Sequence, residues 1–371
     1  MNLNSLSGPA LEKALAEKLK QLLSAVEWLH DWRLEQLEVD SDAGFDLLVT
    51  LRLPSGGRAA LCVECKRELR PSVFRMIAGK SFSPRGRPKA VVPVLALPSV
   101  SPRVAELCEE HGWSWFDLAG NHRLDVPGLL RLEHRGNEPV HELPLAKANL
   151  GTMEAARVIR ALLLPEYAGW RWTQREIQTE CQPKVSLGLV NKVVRYLRDE
   201  AFIEVHKDDG FKLRDPVKLL FAWRDAYRFD RNDRRGFFTL LQGKRLHDAL
   251  AKLRKISSGH VVYAALSAAE FQAPHVRQPK TWLYVSPSVE DEFRARLEAK
   301  TVDSGENLIV LTPADAGVFY RLDSANNRLA CTNAVQTYVD LFHAGGRGKE
   351  AAEALLEQRL KRDWKSQGLN V

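Results

Sequence analysis

The chain has 371 residues, enough for two or three domains with a core each. Hydrophobic residues make up 45% and charged residues 27%, as in soluble globular proteins, and no apolar run approaches the length of a membrane span. A formal charge of +7 and a pI near 9.1 favour polyanionic partners; the N-terminus lacks the basic-then-apolar order of a signal peptide, and five scattered cysteines suit a reduced cytoplasm rather than a disulfide scaffold.

In chain order, Leu11, Ala14, Leu19, Leu22 and Leu23 predict a helix over 9–27. Strands are expected over 32–39, over 45–53 with Phe45, Leu47, Val49 and Leu51 on one face, and over 59–66. A short helix over 72–80 precedes a nearly all-apolar strand over 90–97, which should be central and buried on both faces. A helix over 104–111 and a strand over 113–117 follow. Cys62 and Cys65 are spaced as a metal or redox pair, but on a strand they point to opposite faces, and no second pair completes a tetrahedral set. Ala119-Gly120-Asn121 is a tight turn before a strand over 122–126, with Asp117 a further acid, or Asp117 or Asn121 the residue that closes the turn. An edge strand over 129–134 leads into a linker over 136–147 containing Pro139 and Pro144.

Asp46, Glu64 and Lys66 carry the chemistry this region could hold. The E-x-K spacing puts Glu64 and Lys66 on one strand face, and Asp46 on the adjacent strand can converge with Glu64 on a divalent metal. Gly44-Phe45-Asp46 and Val63-Glu64-Cys65-Lys66, with the order αβββαβ, resemble the PD-(D/E)xK nucleases over roughly the first 135 residues. The resemblance implies a restriction-endonuclease-like domain over 1–142 and a Mg-dependent phosphodiesterase site in which Asp46 and Glu64 bind metal and Lys66 assists. Glu12 or Glu17 would add an acidic ligand. A scaffold of that shape without metal chemistry is the other reading.

Residues 153–164 predict a helix, and 167–172 a loop beside it. Thr173 and Glu176 form a capping-box pair opening a short helix over 174–181, which Pro183 ends. Ser186 caps the next helix, whose apolar stripe is Leu189, Val193, Val194 and Leu197. Its other face carries Ser186, Asn191, Lys192, Arg195 and Arg198. Strands over 203–206 and 211–213 flank an Asp208-Asp209-Gly210 turn. Helix, sharp turn, basic helix and hairpin make a winged helix-turn-helix, expected over 150–215, whose second helix fits a DNA major groove. Ser186, Asn191, Lys192 and Arg195 would face bases of double-stranded DNA, with Lys184, Lys207 and Lys212 on phosphates. Scaffolding or protein binding is the alternative use of such a unit.

Asp215-Pro216 opens a helix with the stripe Leu219, Leu220, Trp223 and Tyr227. Arg228, Arg231, Arg234 and Arg235 then cluster around Asp230 and Asp233, as a phosphate-meeting knot or a solvated linker. Beyond it a mixed α/β domain is expected over 216–371: helices over 244–256 and 289–299, strands over 260–265, 281–285 and 307–311, a hairpin joining 318–322 to 328–331, and closing helices over 333–343 and 349–365. No phosphate-binding Gly loop, nucleophile elbow or metal-spaced His cluster occurs there.

The phrases YAALSAAEFQA at 263–273, AVQTYVDLF at 334–342 and RGKEAAEALL at 347–356 resemble the C-terminal domain of AbiEi-like antitoxins of type IV toxin–antitoxin systems. Residues 115–121 and 215–227 are similar to their larger relatives. The resemblance implies a bacterial transcriptional regulator that binds inverted repeats at its own promoter and counters a nucleotidyltransferase-like toxin. The nuclease-like front domain sets this chain apart from short antitoxins. The sequence thus supports a sequence-specific DNA-binding regulator, a two-fold homodimer being common among such proteins, with a Mg-dependent nuclease targeted by the winged helix as the alternative.

Overall fold

A computed structural model describes residues 8–37, 44–54, 56–82, 84, 88–138, 149–206, 210–254, 259–323, 329–369 and 371. The chain divides into two compact units, Met1–Ala146 and Lys147–Val371. Among the described residues no helix is long and apolar enough to cross a membrane.

The first unit is built on one sheet whose seven strands lie in sequence order: β1 (Trp32–Gln36), β2 (Leu47–Arg52), β3 (Arg58–Cys65), β4 (Ala90–Leu97), β5 (Ser114–Asp117), β6 (His122–Val126) and β7 (Leu130–His134). Neighbours β3–β4 and β4–β5 are parallel and the other pairs antiparallel. Helix α1 (Gly8–Ser24) precedes the sheet, and α2 (Pro71–Ile77) and α3 (Pro102–Glu110) supply the crossovers that parallel pairing needs. Strand alternation sorts the core. Leu61, Val63, Val94 and Ala96 pack with Leu15, Leu19 and Leu23 of α1; Leu95, Leu97 and Trp115 pack with Phe74 of α2 and with Val104 and Leu107 of α3. So α1 covers one face, α2 and α3 the other, and β4 is buried on both. Cys65 joins the first cluster and Cys62 lies away from it beside Phe45 and Ala60, the opposite-face arrangement their spacing required. All five cysteines are buried and free, and burial pushes the Cys62 thiol up to about 12.

Two readings of this unit sharpen. Asp46 precedes β2 instead of lying within it, although its N–H still donates to Val63 O (2.8 Å) and its carbonyl accepts from Leu37 N (3.0 Å). Asp117 closes the turn: Oδ1 accepts from the amides of Gly120 and Asn121 (2.9 Å each), and Oδ2 from Asn121 Nδ2 (3.0 Å) and Val100 N (3.4 Å). Gly120, at φ +97°, supplies the backbone shape that the turn demands. The proposed linker from 139 onward lies outside the described residues.

The second unit opens with α4 (Met153–Leu163), α5 (Pro165–Ala168), β8 (Arg171–Trp172), α6 (Gln174–Glu180), α7 (Leu187–Asp199), β9 (Ile203–Val205), β10 (Phe211–Leu213) and α8 (Pro216–Ala226). Then come β11 (Asp233–Phe238), α9 (Gly243–Leu253), β12 (Val261–Tyr263), α10 (Ala265–Gln272), β13 (Thr281–Val285), α11 (Glu290–Leu297), β14 (Lys300–Thr301) and β15 (Leu308–Thr312). Helices α12 (Ala334–His343), α13 (Gly348–Leu355) and α14 (Lys361–Ser366) finish it, α13 and α14 running on through a π-helical stretch, Leu356–Leu360. Strands β8–β10–β9 form one antiparallel sheet; β12–β13–β15–β11–β14 form another, in which β13 and β15 are parallel.

The five-stranded sheet separates two packing layers. Leu283, Val285, Leu308 and Val310 meet α9 and α11 through Leu250, Phe293 and Leu297. Trp282, Tyr284, Ile309 and Leu311 face a continuous core that takes in α4, α6, α7, α8, α10, α12 and the C-terminal helices. Trp364 of α14 donates its Nε1 to Leu163 O of α4 (2.9 Å), so residues 150–215 and the remainder of this unit share one interior. Three expectations change. Strand β8 occupies what reads as loop, because two residues are too short for a periodic signal. The hairpin joining 318–322 to 328–331 reduces to a bridge between Asp323 and Cys331, since Ala316–Phe319 turns as a 3₁₀ helix; residues 324–328 lie outside the described set. The second half of the arginine knot is consumed internally: Arg235 pairs with Glu290 (2.7 and 2.5 Å), and Arg234 lies 4.8 Å over the Trp282 ring.

Candidate nucleic-acid interface and acidic cluster

The cap geometry that the sequence spells out positions α6 and α7. Thr173 Oγ1 accepts from Glu176 N (3.3 Å) while Glu176 Oε2 accepts from Thr173 N (2.7 Å). Ser186 Oγ accepts from Leu189 N (3.3 Å) at the start of α7, using the exposed Ser186 side chain as a cap. Val190, Val193, Val194 and Leu197 are the buried stripe of α7; Leu189, expected there, is only partly buried, because the inward face is turned one residue further along. On the outward side Lys184, Lys192 and Arg195 are exposed. Asn191 is half-buried: its Nδ2 donates to Gln174 Oε1 of α6 (3.1 Å) and its Oδ1 accepts from Arg195 Nη2 (3.3 Å). The bonded row Gln174–Asn191–Arg195 joins the two helices and holds an arginine on their solvent face.

Beside this face, Lys212 of β10 is exposed and pairs in register with Glu204 of β9 and Arg171 of β8. The hairpin is closed by His206 N donating to Gly210 O (2.7 Å); Lys207 lies outside the described residues.

In the first unit Glu64, 3% exposed, is the hub of the acidic cluster. Its Oε1 accepts from Lys66 Nζ and Lys80 Nζ, both at 2.8 Å, so the E-x-K pair does share a face; Lys80 is a partner the sequence does not signal. Burial pulls the Lys66 ammonium down, but the bond and charge of Glu64 and the charge of Asp46 outweigh it, and its pKa ends above the usual lysine value. Asp46 Oδ2 accepts from Cys65 N (2.6 Å). Glu12 feels Asp46 and Lys66: burial first and Asp46 second raise its pKa. Glu17 instead pairs with Lys20 on the exposed side of α1. This donor set does not fit the divalent metal that the nuclease resemblance implies. One oxygen of each key carboxylate is committed, Glu64 Oε2 is a lone buried oxygen without a partner, and among the described residues no group of three or more His, Cys, Asp or Glu could hold a metal ion.

Sequence reasoning missed a third polar constellation, inside the second unit. Arg160 of α4, fully buried, donates Nε (2.9 Å) and Nη2 (2.7 Å) to Gln336 Oε1 of α12. The Gln336 Nε2 donates in turn to Asp340 Oδ1 (2.8 Å) and Tyr227 OH (2.9 Å), and Tyr227 and Tyr284 each donate to Asp340 Oδ1 (3.0 Å). Burial pushes the Asp340 carboxyl up to about 7, against the opposing pull of these donors and of Arg160. The available signal was Arg160 itself, a charge set between Ile159 and Ala161 in the apolar last turns of a helix whose other charges, Glu154 and Arg157, lie nearer its start.

Residues 212–361 match a family model described as "Transcriptional regulator, AbiEi antitoxin, Type IV TA system". The match begins within β10 and ends at the start of α14, after α6 and α7. Searches of curated proteins and of solved structures each return no match.

Proposed function

We propose that α6, α7 and the β8–β10–β9 sheet form a winged helix-turn-helix, and that the chain is a sequence-specific regulator of the antitoxin type that reads double-stranded DNA through α7. The observation that carries this reading is the outward face of α7: Arg195 braced by Asn191, with Lys184 and Lys192 exposed beside it and Val190, Val193, Val194 and Leu197 turned inward. A bidentate-capable guanidinium held by a neighbour suits readout of a base edge, and flexible lysines at the helix start and on the hairpin suit phosphates. The family description of 212–361 as a transcriptional regulator and antitoxin supports the same use. In this reading residues 216–371 meet a cognate toxin, and two copies bind an inverted repeat as a homodimer.

The front unit then serves as a nuclease-shaped scaffold rather than a metal enzyme, since Glu64 Oε1 is held by Lys66 and Lys80 and no third acidic ligand joins it among the described residues. A mobility-shift titration tests the interface. Arg195→Ala should weaken a selected site by roughly 1–3 kcal/mol and relax its specificity, while Lys212→Ala should weaken selected and random duplexes alike. Equal loss on both duplexes for Arg195→Ala would reject the groove assignment.

A further inference from the structure

We infer that the second unit holds a binding site for a small phosphoryl anion, at a cleft where the N-terminus of α4 meets the buried Arg160, Arg228 and Arg231. This site is independent of the DNA-reading face.

The starting point is a buried charge with no direct ion pair among the described residues: Asp315 and Asp340 act on it through their fields. Arg160 cannot shed its proton, and burying it costs heavily unless an anion or a full set of acceptors meets it. Its two bonded nitrogens go to a neutral amide oxygen, Gln336 Oε1. Nη1 is buried with no hydrogen-bond partner. Asp340 is reached only through the Gln336 amide.

The Arg160 side chain lines a cavity of about 30 Å³ that opens to solvent, room for one or two water-sized oxygens. Around it stand Gly151, Thr152 and Met153 of the α4 start, Tyr227, Arg228, Arg231, Asn232 and Asp315. Asp315 is bonded to Arg157 (2.8 Å), and its charge acts on Arg160 without a hydrogen bond to it. Arg231 is exposed and donates one nitrogen to Gly151 O (3.0 Å), keeping the rest of its fork for a ligand. Arg228 is tied to Asp230 at the rim (2.7 Å).

The helix end adds its own field. Thr152 caps Ala155 N, and the first i−4 bond of α4 is Ala156 N to Thr152 O (3.0 Å), so the Met153 and Glu154 amides are left without an intrahelical partner. Gly151 permits this approach: a Cβ there would collide with Ala226 O at the end of α8. A helix start, a buried guanidinium with one unpartnered nitrogen and a second forked arginine recognise a tetrahedral oxyanion, either free or as the terminal phosphate of a small molecule.

The test is calorimetric titration of the full chain with inorganic phosphate and, separately, with adenosine monophosphate and adenosine, all at matched ionic strength in chloride. The expected result is saturable phosphate binding, weakened roughly tenfold by Arg231→Ala and abolished by Arg160→Gln with Arg231→Ala. Because Arg160 is buried, circular dichroism and the single Arg231→Ala variant guard against a loss caused by misfolding. If adenosine monophosphate binds more tightly than phosphate while adenosine does not bind, the phosphoryl group belongs to a nucleotide-like ligand; if phosphate binds best, the free ion is the ligand. Heats that never saturate, or phosphate binding unchanged in Arg231→Ala, would overturn the site.

Discussion

Asp340→Asn gives the sharpest test of the buried network. In the folded chain its carboxyl titrates near 7, against 3.8 for an ordinary aspartate, because burial disfavours its charge. The folded state therefore holds a proton that the unfolded chain has released, and the group's stabilising contribution is complete below the unfolded pKa. It is lost as pH rises towards 7. A difference of about three pKa units corresponds to roughly 4 kcal/mol across the whole window, of which roughly 3 falls between pH 5 and 8. An asparagine Oδ1 accepts the same bonds from Tyr227, Tyr284 and Gln336 and carries no charge at any pH. Urea unfolding at pH 5 and pH 8 should show wild type losing that roughly 3 kcal/mol and Asp340→Asn losing far less, so the variant leads by only about 1 kcal/mol at pH 5 and by roughly 4 kcal/mol at pH 8. For a unit of this size the pH 8 gap corresponds to roughly 8–16 °C in melting temperature. Parallel pH profiles for the two proteins would refute the placement of Asp340.

Two further substitutions probe the first unit. Glu64→Gln should destabilise the metal-free protein by roughly 1–3 kcal/mol in urea unfolding with chelator present, since it strips the charge that Lys66 and Lys80 share; a carboxylate held beside Asp46 for a metal would instead gain stability when neutralised. Asp117→Ala should cost roughly 3 kcal/mol, because the amides of Gly120 and Asn121 lose their acceptor in a buried turn; a loss below about 0.5 kcal/mol would show that water replaces the carboxylate.

Local signals carried much of the fold. The capping box at Thr173 and Glu176, the Ser186 cap and the Asp215-Pro216 start each act within four residues, and each appears where the sequence places it. Period-two alternation likewise predicts β2 and the opposite faces of Cys62 and Cys65, and the all-apolar run predicts β4. What stayed hidden depends on distance along the chain. Lys80 reaches Glu64 across a crossover, Arg160 meets Gln336 from 176 residues away, and Asp340 gathers hydroxyls from two separate elements. Arg235 looks like a free cation in sequence because Glu290, which neutralises it, is 55 residues on. At the α7 face exposure was legible from helical periodicity, but the Gln174–Asn191–Arg195 row was not, since it needs the angle between two helices.

The measurement that bears most directly on the central claim is a binding-site selection from random double-stranded DNA, run with the full chain and with Arg195→Ala, each with and without Mg. The wild-type protein should enrich an inverted repeat, uncut in either condition, and Arg195→Ala should lose the preference at one position of each half-site. An unenriched pool, or an identical motif from the variant, would contradict reading of bases by α7.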